Sequence, residues 1–85
     1  MKPPTDRQMA IAEAMLRYHE AHGEWPTQRE IADQIGLNTT NMSPYFSALI
    51  KKGIAMKIPD VGRRNVALTD KGGTLVRQGW QPSML

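Results

Sequence analysis

Apolar residues along this chain keep a helical period through Ile50 and then change to an alternating one. The first helical stretch is predicted from about Asp6 to His22. Thr5 is a suitable N-cap, and Gln8 three residues on completes a capping box. Ile11, Met15, Tyr18 and His22 form one stripe, flanked by Ala12, Leu16 and His19. Gly23 ends the helix where a left-handed residue is favoured. In the connector "EWP", Pro26 disfavours helix at Trp25. Thr27 opens a second helix, and Glu30 closes a second capping box. Ile31, Ala32 and Ile35 make its buried face, and Gly36 stops it after about two turns. A third helix ends at Gly53, with Tyr45, Phe46, Leu49 and Ile50 at helical spacing.

Beyond Gly53 the period is two. Ile54, Met56 and Ile58 alternate, "PDVGRR" follows, and Val66 and Leu68 alternate again. This predicts a β-hairpin with its loop over Pro59 to Arg64. Thr69 and Asp70 cap a last short helix, which Gly72 and Gly73 weaken. The expected fold class is mainly α with a small β-hairpin: three helices, a two-stranded wing and a short C-terminal helix. One domain is expected over residues 1–79, with residues 80–85, including Trp80, as a flexible tail.

Two short helices joined by a glycine turn and followed by a hairpin suit a winged helix-turn-helix. There the second helix can enter the DNA major groove. With Gln28 as first position of the motif, Ile31, Ile35, Leu37, Met42 and Tyr45 fall where apolar side chains must be buried. Ala32 falls where the helices approach closely, and Gly36 at the turn. Pro44 is the difficulty. In a helix starting at Thr39 it removes a backbone donor and crowds the carbonyl of Thr40, at about 3 kcal/mol. A late start, with Ser43 as N-cap and Pro44 first in the helix, relieves this. So does an irregular first turn. Met42 must still reach the core, which favours a start near Thr39–Thr40 with a distorted first turn.

Composition adds a partner class. The 85 residues carry a net charge of +3, with pI near 9.6. Residues 1–43 hold four cations and six anions, or −2; residues 44–85 hold seven cations and two anions, or +5. The basic half contains the hairpin and suits a polyanion. So small a domain has a thin core and little room for a catalytic cleft. Cysteine is absent, which excludes disulfides and thiolate metal sites. The polar start "MKPPTDRQ" and the lack of a long apolar run predict a cytoplasmic chain without a membrane span.

The candidate site follows from the motif. Asn38, Thr39, Thr40 and Asn41 occupy the turn and the start of the recognition helix. Amides there can pair with adenine edges, and hydroxyls can meet phosphate or bases. Asn38 or Thr39 can equally serve as the N-cap. Thr40, Asn41, Ser43 and Ser47 are expected to face DNA. Lys51 and Lys52 suit the negative end of the helix dipole, and Lys51 also suits phosphate. Arg63 and Arg64, beside Gly62 and with no evident part in folding, suit phosphate or the minor groove. Gln28 and Arg29 open the second helix, where anions are favoured.

His19 and His22 are three apart, whereas the HExxH zinc motif needs four, so no metal is expected. Trp25 is expected to plug the core beside the connector. No nucleophile–base pair, phosphate-binding glycine loop or carboxylate dyad stands out, so neither enzyme activity nor a cofactor is expected.

The stretch "DRQMAIAEAMLRYHEAHGEWPTQREIADQIGL" resembles the start of the DNA-binding domain of LexA-type repressors. "LNTTNMSPYFSALIKKGI" and "VALTDKG" are similar to MarR-type regulators. The resemblance implies a winged helix-turn-helix fold and transcriptional regulation in a bacterial or phage setting. LexA-type proteins also carry a protease domain, and MarR-type proteins carry dimerisation helices; 85 residues leave room for neither. The expected function is therefore sequence-specific binding of double-stranded DNA by a small regulator, as a monomer or weak homodimer, with no small-molecule effector. The alternatives are a winged-helix module that binds another protein, or an accessory protein of phage or plasmid replication.

Overall fold

The computed structural model describes residues 4–37 and 42–79. Its elements run α1 (Asp6–His22), α2 (Gln28–Ile35), α3 (Met42–Lys51), β1 (Ala55–Val61), β2 (Arg64–Leu68) and α4 (Asp70–Arg77). This order is a winged helix-turn-helix. Among the described residues no helix is long and apolar enough to cross a membrane.

Both predicted capping boxes form. Thr5 Oγ1 accepts from the Gln8 amide, and Gln8 Oε1 accepts from the Thr5 amide. Thr27 and Glu30 do the same at α2. Each box satisfies backbone donors that the first turn leaves without a partner. Gly36 ends α2 at φ 76°, which a side chain disfavours, and turns the chain toward α3.

The core lies where the helices and hairpin converge. Ile11 and Met15 of α1, Ile31 of α2, Met42 and Leu49 of α3, and Ile54 just ahead of β1 are its largest fully buried side chains. Burying each stabilises the fold by about 1.5–3 kcal/mol. Ala32 is also fully buried, at the expected close approach of the helices. Trp25 is half-buried against this core and stacks on His19, with ring centroids 3.9 Å apart.

Pro44 lies inside α3, and the helix runs through it to Lys51. Met42 and Ser43 are already helical, so the alternative with Ser43 as N-cap does not hold. Met42 reaches the core from this first part of the helix and is fully buried. A start near Thr39–Thr40 falls on residues outside those described.

The hairpin differs from its prediction in two ways. Pro59, Asp60 and Val61 belong to β1 rather than to a loop, and only Gly62 and Arg63 make the turn. Their φ angles are 59° and 68°, both positive, as a tight I′-type turn requires. Asp60 Oδ1 accepts from the Arg63 amide at 2.8 Å and fixes it. Register runs Ala55↔Leu68 to Lys57↔Val66, then shifts before Val61↔Arg64. That bulge absorbs Pro59, which has no N–H for the ladder. On β1, Met56 is 46% and Val61 71% exposed, while Ala55 is buried.

Thr69 caps α4 and holds it to the sheet. Its Oγ1 accepts from the Gly72 amide and donates to the carbonyls of Gly53 and Ile54. Gly72 does not merely weaken this helix. A Cβ there would lie 2.2 Å from the Ile54 carbonyl oxygen, so α4 can pack on Ile54 only because residue 72 has no side chain. The expected tail, residues 80–85, lies outside the described residues.

Candidate nucleic-acid interface

The buried and exposed faces of α3 separate cleanly. Met42, Phe46 and Leu49 go to the core, while Ser43, Pro44, Ser47 and Lys51 are exposed. Ser43, Ser47 and Lys51 are four apart and therefore share one line along the helix. Pro44, Ser47, Ala48, Ile50 and Lys51 border a shallow groove that Lys57 of β1 closes from the other side. The outward face of α3 thus carries small side chains, polar at Ser43 and Ser47 and apolar at Pro44 and Ala48, with Lys51 at its C-terminal end and Lys57 beside it.

A second cleft lies between the start of α2 and the hairpin tip. Thr27, Gln28 and Arg29 form one wall, and Asp60, Arg63 and Asn65 the other. Gln28 Oε1 lies 3.5 Å from Ser43 Oγ, so this cleft adjoins the exposed line of α3. Of the sequence-predicted residues, the structure brings Gln28, Arg29 and Arg63 together here, and Ser43, Ser47 and Lys51 on α3. Asn38, Thr39, Thr40 and Asn41 lie outside the described residues.

Arg64 departs from the expectation of a free cation at the tip. Its side chain is only 25% exposed. Nη1 and Nη2 donate to the two carboxylate oxygens of Glu30, at 2.5 and 3.3 Å. Nε pairs with Glu24 at 3.1 Å, and Nη1 also donates to the Trp25 carbonyl at 3.1 Å. The Tyr18 hydroxyl donates to Glu30 Oε2 at 2.7 Å. Fork-on-carboxylate geometry of this kind is among the stronger polar contacts. The Arg64 guanidinium lowers the Glu30 carboxyl to about 2 against partial burial, and amide and hydroxyl donors from Thr27 and Tyr18 assist. Glu30 in turn raises Arg64, and the hydrogen bond to Glu30 raises the Tyr18 hydroxyl. Arg64 is therefore engaged in holding the fold, whereas Arg63 is exposed.

Lys52 is also turned inward, donating to Gln8 Oε1 at 2.6 Å. His19 Nδ1 is buried without a hydrogen-bond partner beneath Trp25. Among the described residues, no three His, Cys, Asp or Glu side chains group as a metal site would need. Lys57 and Asn65 were missed by the sequence reading. Both are polar positions in an alternating segment, a visible signal, but nothing local says that one borders α3 and the other α2.

The comparisons with known proteins agree with this fold. A model of the LexA DNA binding domain matches residues 1–64. The LexA repressor of Limosilactobacillus fermentum is 38% identical over 60 residues, which cover 69% of this chain and 29% of the repressor. Among solved structures, the Staphylococcus aureus MepR–DNA complex superposes with a TM-score of 0.67 at 26% identity, over 88% of this chain and 53% of that one. The transcriptional regulator PcaV from Streptomyces coelicolor gives a TM-score of 0.68 at 25% identity, over 87% of this chain and 51% of that one. The chain thus spans less than a third of the LexA repressor and about half of each of these regulators. With the family model matching residues 1–64 of 85, the chain belongs to the LexA DNA-binding domain family.

Proposed function

We propose that this chain binds double-stranded DNA in a sequence-dependent way as part of transcriptional regulation. In this reading α3 lies in the major groove, and the hairpin tip meets the backbone or minor groove. The observation that carries it is the exposed line Ser43–Ser47–Lys51, flanked by Lys57 on one side and by Arg29 and Arg63 across the adjoining cleft. Small polar side chains on the helix let it approach base edges, and the surrounding cations fit phosphates. The likeness to the LexA repressor and to MepR, solved as a DNA complex, supports the same reading. It includes a cytoplasmic protein that acts as a monomer or weak homodimer, without enzymatic activity and without a small-molecule effector.

Selection from a random duplex pool tests it. A narrow set of sequences should emerge, and Asn41→Ala should lose about 1–3 kcal/mol of discrimination against random DNA if Asn41 makes a bidentate base contact. A recovered pool as diverse as the input would remove sequence reading from the account. One observation favours a second reading, a protein-binding module: Met56 and Val61 are large, apolar and exposed on the hairpin. Unchanged DNA binding in a Met56→Ser/Val61→Thr variant, with a partner lost, would support that reading.

A further inference from the structure

A two-stranded hairpin is marginally stable alone and needs an anchor to hold a fixed direction. Here the ladder is also interrupted, since register shifts between Lys57 and Val61. The tip beyond that bulge is therefore not aligned by an unbroken strand pair. Its anchor is Arg64, the first residue of β2 and the neighbour of Arg63. The Arg64 guanidinium reaches α1 through Tyr18, the connector through Glu24 and the Trp25 carbonyl, and α2 through Glu30. Its carbon also lies 5.7 Å from the centre of the Tyr18 ring. Glu30 is two residues from Gln28 and one from Arg29. The knot thus ties together the two walls of the cleft that carry Arg29 and Arg63.

We propose that Tyr18, Glu30 and Arg64 form a latch that positions the wing. The three do not touch DNA. They hold the hairpin tip against the start of α2, so that Arg63 and Arg29 engage the same stretch of backbone together. This proposal rests on the DNA-binding reading above. It opposes the plain electrostatic expectation. Removing the Glu30 charge makes the chain more cationic, which by itself strengthens binding to DNA. The latch requires the reverse, because a wing that is aligned only part of the time weakens the apparent affinity by that fraction.

The test compares Glu30→Gln, Tyr18→Phe and Arg64→Gln in the full chain. Glutamine at residue 30 still suits the capping box, so α2 is preserved. Tyr18→Phe changes no charge and keeps the ring, and it decides the matter if Glu30→Gln loses the fold. Amide hydrogen exchange in the free protein reads wing mobility, and titration of a random-sequence duplex at several salt concentrations reads binding. In Glu30→Gln, amides of residues 60–65 should exchange faster while those in the middle of α1 and α3 stay protected. If the wing is then aligned about a tenth of the time, affinity falls about tenfold despite the gain in charge. Tyr18→Phe should move both readouts in the same direction by less. Glu30→Gln or Tyr18→Phe binding as tightly as wild type, with wing exchange unchanged, would overturn the latch. So would a loss confined to Arg64→Gln, which would assign that arginine to phosphate instead. If wild type itself retards no duplex at low salt, the DNA-binding reading falls and takes the latch's purpose with it. That outcome is distinct from the first two, in which wild type binds.

Discussion

Arg63→Asn should raise stability and lower DNA affinity at once. Arg63 sits at φ 68° in the two-residue turn, the only residue other than glycine with positive φ among those described. Holding an ordinary side chain there costs roughly 1–2 kcal/mol, and asparagine visits the region more readily. Its amide, which donates to Asp60, is kept by the substitution. A gain of about 0.5–1 kcal/mol follows, or a rise of roughly 2–8 °C in the thermal midpoint for a chain of this size. Binding moves the other way. One lost phosphate contact lowers the slope of log affinity against log salt by about 0.9, so the wild-type advantage should shrink about 3.5-fold between 50 and 200 mM salt. Thermal denaturation and a salt series of duplex titrations read the two effects separately. Misfolding cannot produce the combination, because it lowers both. A variant that is more stable yet keeps the wild-type salt slope would show that Arg63 makes no phosphate contact. A less stable variant would show that the turn does not carry the strain assigned to it.

Adjacent glycines in α4 should respond in opposite directions. Gly72→Ala places a methyl 2.2 Å from the Ile54 carbonyl oxygen, and overpacking of about 1–3 kcal/mol outweighs the roughly 1 kcal/mol gained in helix propensity; its thermal midpoint should fall. Gly73→Ala meets only the flexible Arg77 guanidinium at 3.5 Å and should raise the midpoint by a few degrees. Equal effects of the two would refute the close approach at Gly72. Stability should also depend on pH through Glu30, whose carboxyl is lowered from 4.5 to about 2 in the fold. A depressed acid stabilises fully above its unfolded value, and that contribution disappears as pH falls from about 4.5 to about 2. Glu30 is a third exposed, so after solvent screening the contribution is on the order of 1 kcal/mol. The gap in thermal midpoint between wild type and Glu30→Gln should narrow across that window. A gap that stays constant from pH 6 to pH 2 would contradict the charged pairing.

What the sequence revealed was local. Thr5 with Gln8 and Thr27 with Glu30 specify helix starts within four residues, and Gly36 specifies a stop at one, so α1 and α2 were legible. The motif set Ser43 and Ser47 toward DNA, and they lie outward with Lys51 because Met42, Phe46 and Leu49 go inward on the same helix. The hairpin was less legible. Pro59 suggested a loop, but a bulge lets a proline remain in a strand. Alternation correctly gave a strand over Met56, but it did not show that Ile54 and Ala55 would be buried and Met56 exposed. Arg64 was hidden for a different reason. Its partners Tyr18 and Glu30 lie 46 and 34 residues away, and no local period encodes which arginine of an adjacent pair finds them.

A salt titration of binding to random-sequence duplex DNA tests the central claim most directly. The site offers Arg29, Lys51, Lys57 and Arg63 as cations free to meet phosphates. If about three or four of them do so, the slope of log affinity against log salt should be about −2.7 to −3.6. Binding would then be measurable at 50 mM salt and weakened roughly 40- to 150-fold at 200 mM. A chain that is folded by circular dichroism yet retards no duplex at low salt, or binds with a slope near zero, would contradict the proposal that this winged helix works on DNA.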